Sequence, residues 1–330
     1  MAAGALSVGV QGNRLVDGEG RALRLGGVNR SGAEYACVQG RGIFDGPVDD
    51  DAIVANKAWG ANSVRVPLNE HCWLGINGID PTYGGDAYRR AIASYVERLH
   101  AHGLYAILDL HWSAAGSAKA DAQAPMPDRD HAPDFWRGVA ASFKNDPAVM
   151  FDLFNEPHLD EGFADAWSCW RDGCIVHGWQ SAGMQSLVDA VRSTGARQPI
   201  LVGGLSYAND VSGWAAHAPV DPAHALVLSF HVYNFNRCTE EECWTRDISP
   251  LARTVPVVTG EIGEDDCTHA FVDRYMRWAD DAGISYLAWA WNTWGEPTPT
   301  RCGPKIVLIA DYAGTPTPYG IGVRDHLLAR

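Results

Sequence analysis

A few polar side chains interrupt runs that are otherwise apolar and β-branched. Arg65 lies in SVRVPL, His111 closes YAILDLH, and Asn155 with Glu156 closes VMFDLFNE. His231 and Tyr233 end LVLSFHVY, Glu261 sits in PVVTGEIG, and Trp291 closes ISYLAWAW. A carboxylate flanked by FDLFN or VVTG is costly to bury unless it is paired or used. Two such carboxylates brought to one mouth are what cleavage of a glycosidic bond needs, because one protonates the leaving oxygen while the other attacks or activates water. Identical side chains take opposite roles when their environments split their pKa values. Arg65 supplies the fixed positive charge that would keep one of them ionised.

These residues need a scaffold that gathers strand ends. Eight apolar runs recur along the 330 residues: Arg24–Asn29, Ser63–Leu68, Tyr105–His111, Val149–Glu156, Pro199–Gly204, Leu226–Tyr233, Pro256–Gly263 and Ile284–Trp291. They read as buried parallel strands. Amphipathic stretches separate them; in Ala87–His102, Tyr88, Ile92, Tyr95, Val96 and Leu99 recur at helical spacing. The alternation predicts an α/β fold, a (β/α)8 TIM barrel, whose catalytic residues project from the C-terminal ends of its strands. A doubly wound sheet is the alternative, but no GxGxxG follows the first strand, and no cofactor is expected. VQGNRLVDGEGRALRL reads as a hairpin turning at Asp17–Gly20 and closing the barrel floor, so residues 1–23 and 24–330 form one catalytic domain.

The formal charge of −14 argues against nucleic acid, anionic membrane surfaces and acidic polymers, and favours a neutral substrate. No apolar run approaches the ~18–20 residues of a membrane span. The opening MAAGALSVGV lacks the features of a signal peptide and reads as a mature or trimmed terminus of a monomeric secreted protein. None of the four lysines ends a strand, which removes Schiff-base chemistry. Eight cysteines suggest an oxidising compartment. Cys169–Cys174 and Cys238–Cys243 each enclose a small loop, leaving Cys37–Cys72 and Cys267–Cys302 as long-range partners. Other connectivities, and a zinc site built from the closely spaced pairs, stay open at this level.

LFNEP (Leu153–Pro157) together with VVTGEIG (Val257–Gly263) resembles the acid/base and nucleophile motifs of glycoside hydrolase family 5, the cellulase family of retaining barrel glycosidases. RLGGVN, SVRVP, ILDLHW, SFHVY and the Trp-rich end of the eighth run match in the same order, so the resemblance spans about Gln11 to Trp294. It implies that Glu156 is the general acid/base and Glu261 the nucleophile. It further implies that Asn155 bonds the sugar 2-hydroxyl, that Arg65 and Tyr233 orient Glu261, and that His231 lies near Glu156. His111 would touch the sugar at the cleavage site and Trp291 would form its stacking floor, with Trp289 the competing assignment, placed outside by strand alternation. The implied substrate is a neutral β-glycan, first of all a β-1,4-glucan, with mannanase, exo-glucosidase and arabinofuranosidase specificities as alternatives. A non-catalytic sugar-binding barrel is the reading of a different class.

Other residues have plainer readings. Asp109 is a partner for Arg65, Glu70 shapes a loop or a distal subsite, and Glu264, Asp265 and Asp266 form a solvated loop. His100 and His102 are structural, and His158 is a substrate-contact candidate. No His, Asp and Glu set has metal-ligand spacing, so no metal is expected. Of thirteen tryptophans, Trp59, Trp136, Trp167, Trp170, Trp214 and Trp278 fall in helical stretches and read as packing. Trp73, Trp112, Trp244 and Trp294 follow strand ends and are candidate sugar platforms.

Overall fold

All eight apolar runs form strands, and they close on themselves. In the computed structural model, which describes residues 6–303 and 305–330, the barrel strands are β1 (Gly26–Asn29), β2 (Ser63–Asn69), β3 (Tyr105–Trp112) and β4 (Val149–Asp152). They continue as β5 (Ile200–Gly203), β6 (Leu226–Tyr233), β7 (Val257–Gly263) and β8 (Ser285–Ala288). Each strand pairs in parallel with its sequence neighbours, and β8 returns to β1. Strands buried on both faces need no alternation, which is why the runs are nearly continuous in apolar character. Helices fill the connections; in Asp86–Ala101 the buried positions are Tyr88, Ile92, Tyr95, Val96 and Leu99, the predicted stripe.

The barrel floor is plugged as expected, but by a differently wound ribbon. Strands Val8–Gln11 and Arg14–Asp17 pair antiparallel across Gly12 and Asn13, with Gly12 at φ +59°. Asp17–Gly20 makes a second turn, its Asp17 carboxylate accepting from the backbone of Glu19 and Arg21, and leads to a bridge between Val16 and Ala22. Val8 and Leu15 then pack against Leu25, Ile107, Met150, Leu201, Val227, Val258 and Leu287 at the bottom of the barrel. Met1–Ala5, part of the predicted trimmed terminus, lies outside the described residues.

Two strands stop short of their predicted ends. β4 ends at Asp152, because the Asn155 amide turns to the Leu110 carbonyl and Glu156 adopts φ +50°. β8 ends at Ala288, which leaves Trp289 and Trp291 in the following loop. Glu264 is not solvated: it is 2% exposed, and its Oε2 accepts from the amides of Phe271 and Val272 at the start of helix Ala270–Asp281, satisfying donors that a helix start leaves orphaned.

The four disulfides are Cys37–Cys72, Cys169–Cys174, Cys238–Cys243 and Cys267–Cys302, so no thiolate is left in either close pair for zinc. Cys37–Cys72 ties the loop after β1 to the helix after β2, and Cys267–Cys302 ties the loops after β7 and β8. On the chain-entropy account, each long-range bridge is worth about 4 kcal/mol and each short one about 2. The larger constraint therefore falls on the loops at the mouth.

Candidate active site

Arg65 organises the centre. Its side chain is fully buried on β2, and it makes four hydrogen bonds and a further ion pair. Nε donates to Asp152 at 2.8 Å; Nη1 donates to Asn29 at 3.0 Å and Glu261 at 2.9 Å; Nη2 faces Asp109 at 3.0 Å and Asn155 at 3.0 Å. The parallel register makes this possible, since Asn29 pairs with Arg65 and Asp109 with Asp152 on adjacent strands. Three carboxylates surround one guanidinium, so burial prevails at the two aspartates and lifts both carboxyls to about 7 against the pull of Arg65. Asp109 is thus the Arg65 partner that the sequence suggested. Asn29 and Asp152 were missed; the register signal existed, but neither residue ends a run with a charge.

Glu261 is held at both oxygens. Oε1 accepts from Arg65, and Oε2 accepts from the Tyr233 hydroxyl at 2.5 Å. A register shift at Phe230/His231 between β6 and β7 sets His231 opposite Glu261 and Tyr233 opposite Gly263; bulges of this kind re-aim side chains beside active sites. The glycines flanking Glu261 keep that space open. A Cβ on Gly260 would lie 2.7 Å from His231 Nε2, and one on Gly263 would lie 2.3 Å from the Tyr233 ring. Asn29 Nδ2 also donates to the Gly260 carbonyl at 2.9 Å, fixing the strand beside the carboxylate.

Glu156 sits differently. Its side chain is 16% exposed and forms no ion pair with Lys or Arg among the described residues; Oε1 meets His231 Nδ1 at 3.2 Å and Oε2 accepts from Gln123 at 3.3 Å. Burial raises the Glu156 carboxyl above its ordinary value. Burial also pushes His231 down to about 3, so the ring is neutral and donates its Nδ1 proton to Glu156. Glu156, His231 and Glu261 each bring one ligand-type atom within 4.8 Å of the others. Asn155 Oδ1 accepts from Arg65, and its side-chain Nδ2 makes no hydrogen bond among the described residues. Gln123, from the long loop after β3, carries no sequence signal.

The aromatic expectations are partly corrected. Trp291 is 1% exposed, and its ring packs edge-on against Trp59 at 4.8 Å, so it cannot serve as a sugar floor. Trp289 is the ring left part-exposed, and it stacks on His111 at 5.3 Å with an interplanar angle of 6°. Strand alternation misled because the β8 ladder ends one residue before it. His111 donates from Nδ1 to Asp109 at 2.6 Å, and burial keeps the ring neutral by lowering its pKa. Trp73 and Trp244 are core residues, at 1% and 0% exposure: Trp73 lies among Tyr88, Phe135 and Phe143, and Trp244 among Phe271, Tyr275 and Trp278. Trp112 and Trp294 do stay part-exposed; both neighbour Tyr35, whose hydroxyl accepts from Trp294 at 2.6 Å. His158 stacks on Tyr207 at 4.2 Å, and its Nδ1 meets the Glu156 carbonyl at 2.9 Å.

Known proteins align with this arrangement. The chain is 27% identical over 264 residues to Endoglucanase C of Evansella cellulosilytica, covering 76% of this chain and 30% of that protein. It is 26% identical over 304 residues to a mannan endo-1,4-beta-mannosidase of Streptomyces lividans, covering 88% and 67%. Among solved structures, a beta-glucanase from Saccharophagus degradans superimposes with a TM-score of 0.74 at 21% identity, covering 99% of this chain and 94% of that one. An endocellulase from Pyrococcus horikoshii does so with 0.73 at 18% identity, covering 98% and 99%. A profile of the cellulases, glycosyl hydrolase family 5, matches residues 18–295, and the chain belongs to that family.

Proposed function

We propose that the protein is a retaining glycoside hydrolase that cleaves internal β-1,4 linkages of a neutral glucan, with Glu156 as acid/base and Glu261 as nucleophile. The observation that carries this reading is the pair of carboxylates with oxygens within 4.8 Å of one another in contrasting surroundings. Retaining enzymes hold their carboxyls about 5–5.5 Å apart, whereas inverting ones leave roughly 6.5–9.5 Å for a water. Glu261, between Arg65 and Tyr233, is shaped to attack as an anion, and Glu156, raised by burial, is shaped to hand over a proton. The free amide of Asn155 is available to the 2-hydroxyl, and Trp289 with His111 walls the sugar being cleaved. Relatives named endoglucanase and mannosidase support a β-linked backbone, and the −14 charge disfavours an acidic one. Hydrolysis of carboxymethylcellulose, mannan, xyloglucan, lichenan and aryl glycosides, run side by side, tests it. The glucan substrates should be fastest; cleavage confined to short aryl glycosides would reject internal action.

The aromatic residues support an endo-acting cleft that extends past the scissile bond on both sides. Tyr35, Trp112, Trp289 and Trp294 line the side of β1, β3 and β8. Across from them, Tyr207 after β5 and Phe235 after β6 are 49% and 59% exposed, stacked on His158 and Tyr233. Sugar faces stack on such rings, and on this side of Glu156 they would hold the leaving group. Removing both rings (Tyr207→Ala with Phe235→Ala) should lower kcat/KM roughly tenfold on cellopentaose, about 1.4 kcal/mol, and leave dinitrophenyl cellobioside unaffected. Trp289→Ala should cut kcat/KM on both substrates with little change in melting. Trp291→Ala, a core truncation, should instead cost about 3–5 kcal/mol of stability, readable by denaturant unfolding.

The four disulfides favour an oxidising, extracytoplasmic setting, and no helix among the described residues is long and apolar enough to cross a membrane. We read the barrel with its floor ribbon as one catalytic domain acting on secreted or external polysaccharide.

A further inference from the structure

A second cluster of acids lies away from the catalytic pair, where the end of β2 meets the loop after β3. Glu70 and Asp128 are both 0% exposed, and Glu70 Oε2 and Asp128 Oδ2 are buried without a hydrogen-bond partner. The two carboxyl groups face each other within bonding reach. Asp128, Asp130 and His131 bring one ligand-type atom each within 4.8 Å of one another. Among the described residues no Lys or Arg forms an ion pair with Glu70, Asp128 or Asp130; the contact of that kind at Glu70 is His71 Nε2, 3.4 Å from Oε1, which also meets the Ala114 carbonyl at 3.2 Å.

Two buried carboxylates in contact with no cation between them are not a stable arrangement; they need either a shared proton or a metal ion. The geometry points to a structural divalent-cation site formed by Asp128, Asp130 and His131, with the Glu70 carboxylate against Asp128 adding its charge. Ligand distances of about 2.0–2.6 Å place any two donors within about 5 Å, and Asp128, Asp130 and His131 meet that limit. Two carboxylates and one imidazole, with a third carboxylate beside them, suit a first-row ion that accepts both oxygen and nitrogen, of the Mn2+ type, better than Mg2+ or Ca2+. Asp128, Asp130 and His131 lack any familiar metal-ligand spacing, because a loop rather than a helix or strand brings them together.

The site has a consequence for catalysis. The loop it would pin, from Ala114 to His131, also carries Gln123, which donates to Glu156, and Pro125, whose carbonyl accepts from the His158 amide. A cation there would hold the acid/base surroundings from a distance without touching substrate.

Chelator-treated wild-type protein is titrated with Mn2+, and separately with Ca2+ and Zn2+, by calorimetry and thermal unfolding, beside Glu70→Gln and Asp130→Asn. Glu70→Gln keeps a donor for Asp128, and Asp130 is exposed, so both variants should fold and melt like the metal-free wild type. The expected result is saturable binding of one Mn2+ with a rise in melting temperature, and affinity at least tenfold weaker in each variant. No saturable binding of any of the three ions at millimolar concentration would overturn the proposal in favour of a shared proton. Binding by the variants as tight as by the wild type would overturn it by placing the ion elsewhere.

Discussion

Glu156→Gln is expected to lower turnover of β-glucan roughly 10³-fold, within the 10²–10⁴ that general acid–base catalysis supplies. Gln preserves shape and can still meet His231 and Gln123, so melting should barely change. The loss should depend on the leaving group. A dinitrophenyl glycoside departs without a proton, so the variant should still form the glycosyl-enzyme in a burst and then stall at hydrolysis, and added azide should restart turnover. The pH profile supplies an independent check. The acid must carry its proton, so wild-type kcat/KM falls as pH rises through the Glu156 pKa. Burial raises that pKa, which moves the alkaline limb above the range of an exposed glutamate, and the variant should lose the limb altogether. Polymer turnover equal to wild type would refute the acid role.

The second large effect concerns Arg65. Arg65→Lys keeps the charge but offers three donors where four acceptors wait, on Asp152, Asn29, Glu261 and Asn155, beside the Asp109 carboxylate. Removing one preorganised donor from a reacting centre costs about 10²–10³ in kcat, so the variant should lose at least that much while remaining folded. Arg65→Met strips the charge from three buried carboxylates. Breaking a buried pair costs about 3–5 kcal/mol. The lower end applies here, because Asp109 and Asp152, already lifted to about 7, can take up protons. Urea unfolding of the two variants separates the effects: Lys should lose mainly activity, Met both activity and stability. An Arg65→Met protein as stable as wild type would show that the centre is not held by this guanidinium.

The strands were legible because parallel barrel strands are buried on both faces and leave unbroken apolar runs. Glu156, Glu261 and Arg65 were legible because a charge in such a run has no inexpensive alternative to a partner. What the sequence hid depends on where a strand stops and what packs over it. Trp291 is buried and Trp289 part-exposed because the β8 ladder ends at Ala288, and no residue type announces that end. Trp73 and Trp244 follow strand ends but sit on the buried faces of short helices, where aromatic neighbours enclose them. Asn29, Gln123, Gly260 and Gly263 are uncharged, so they shape the site by register and by the room they leave. Glu264 sits in an acidic run that reads as solvated until a helix N-terminus is seen beside it.

The central claim is that Glu261 attacks the sugar and Glu156 serves it on the other side. Incubating the wild-type enzyme with an activated 2-deoxy-2-fluoro cellobioside and digesting it for mass spectrometry tests this directly. The account predicts one fluoro-cellobiosyl adduct per chain, on Glu261 within VVTGEIG, with inactivation in proportion to labelling. A stable adduct on any other residue, or rapid turnover with inverted anomeric configuration and no adduct, would contradict it.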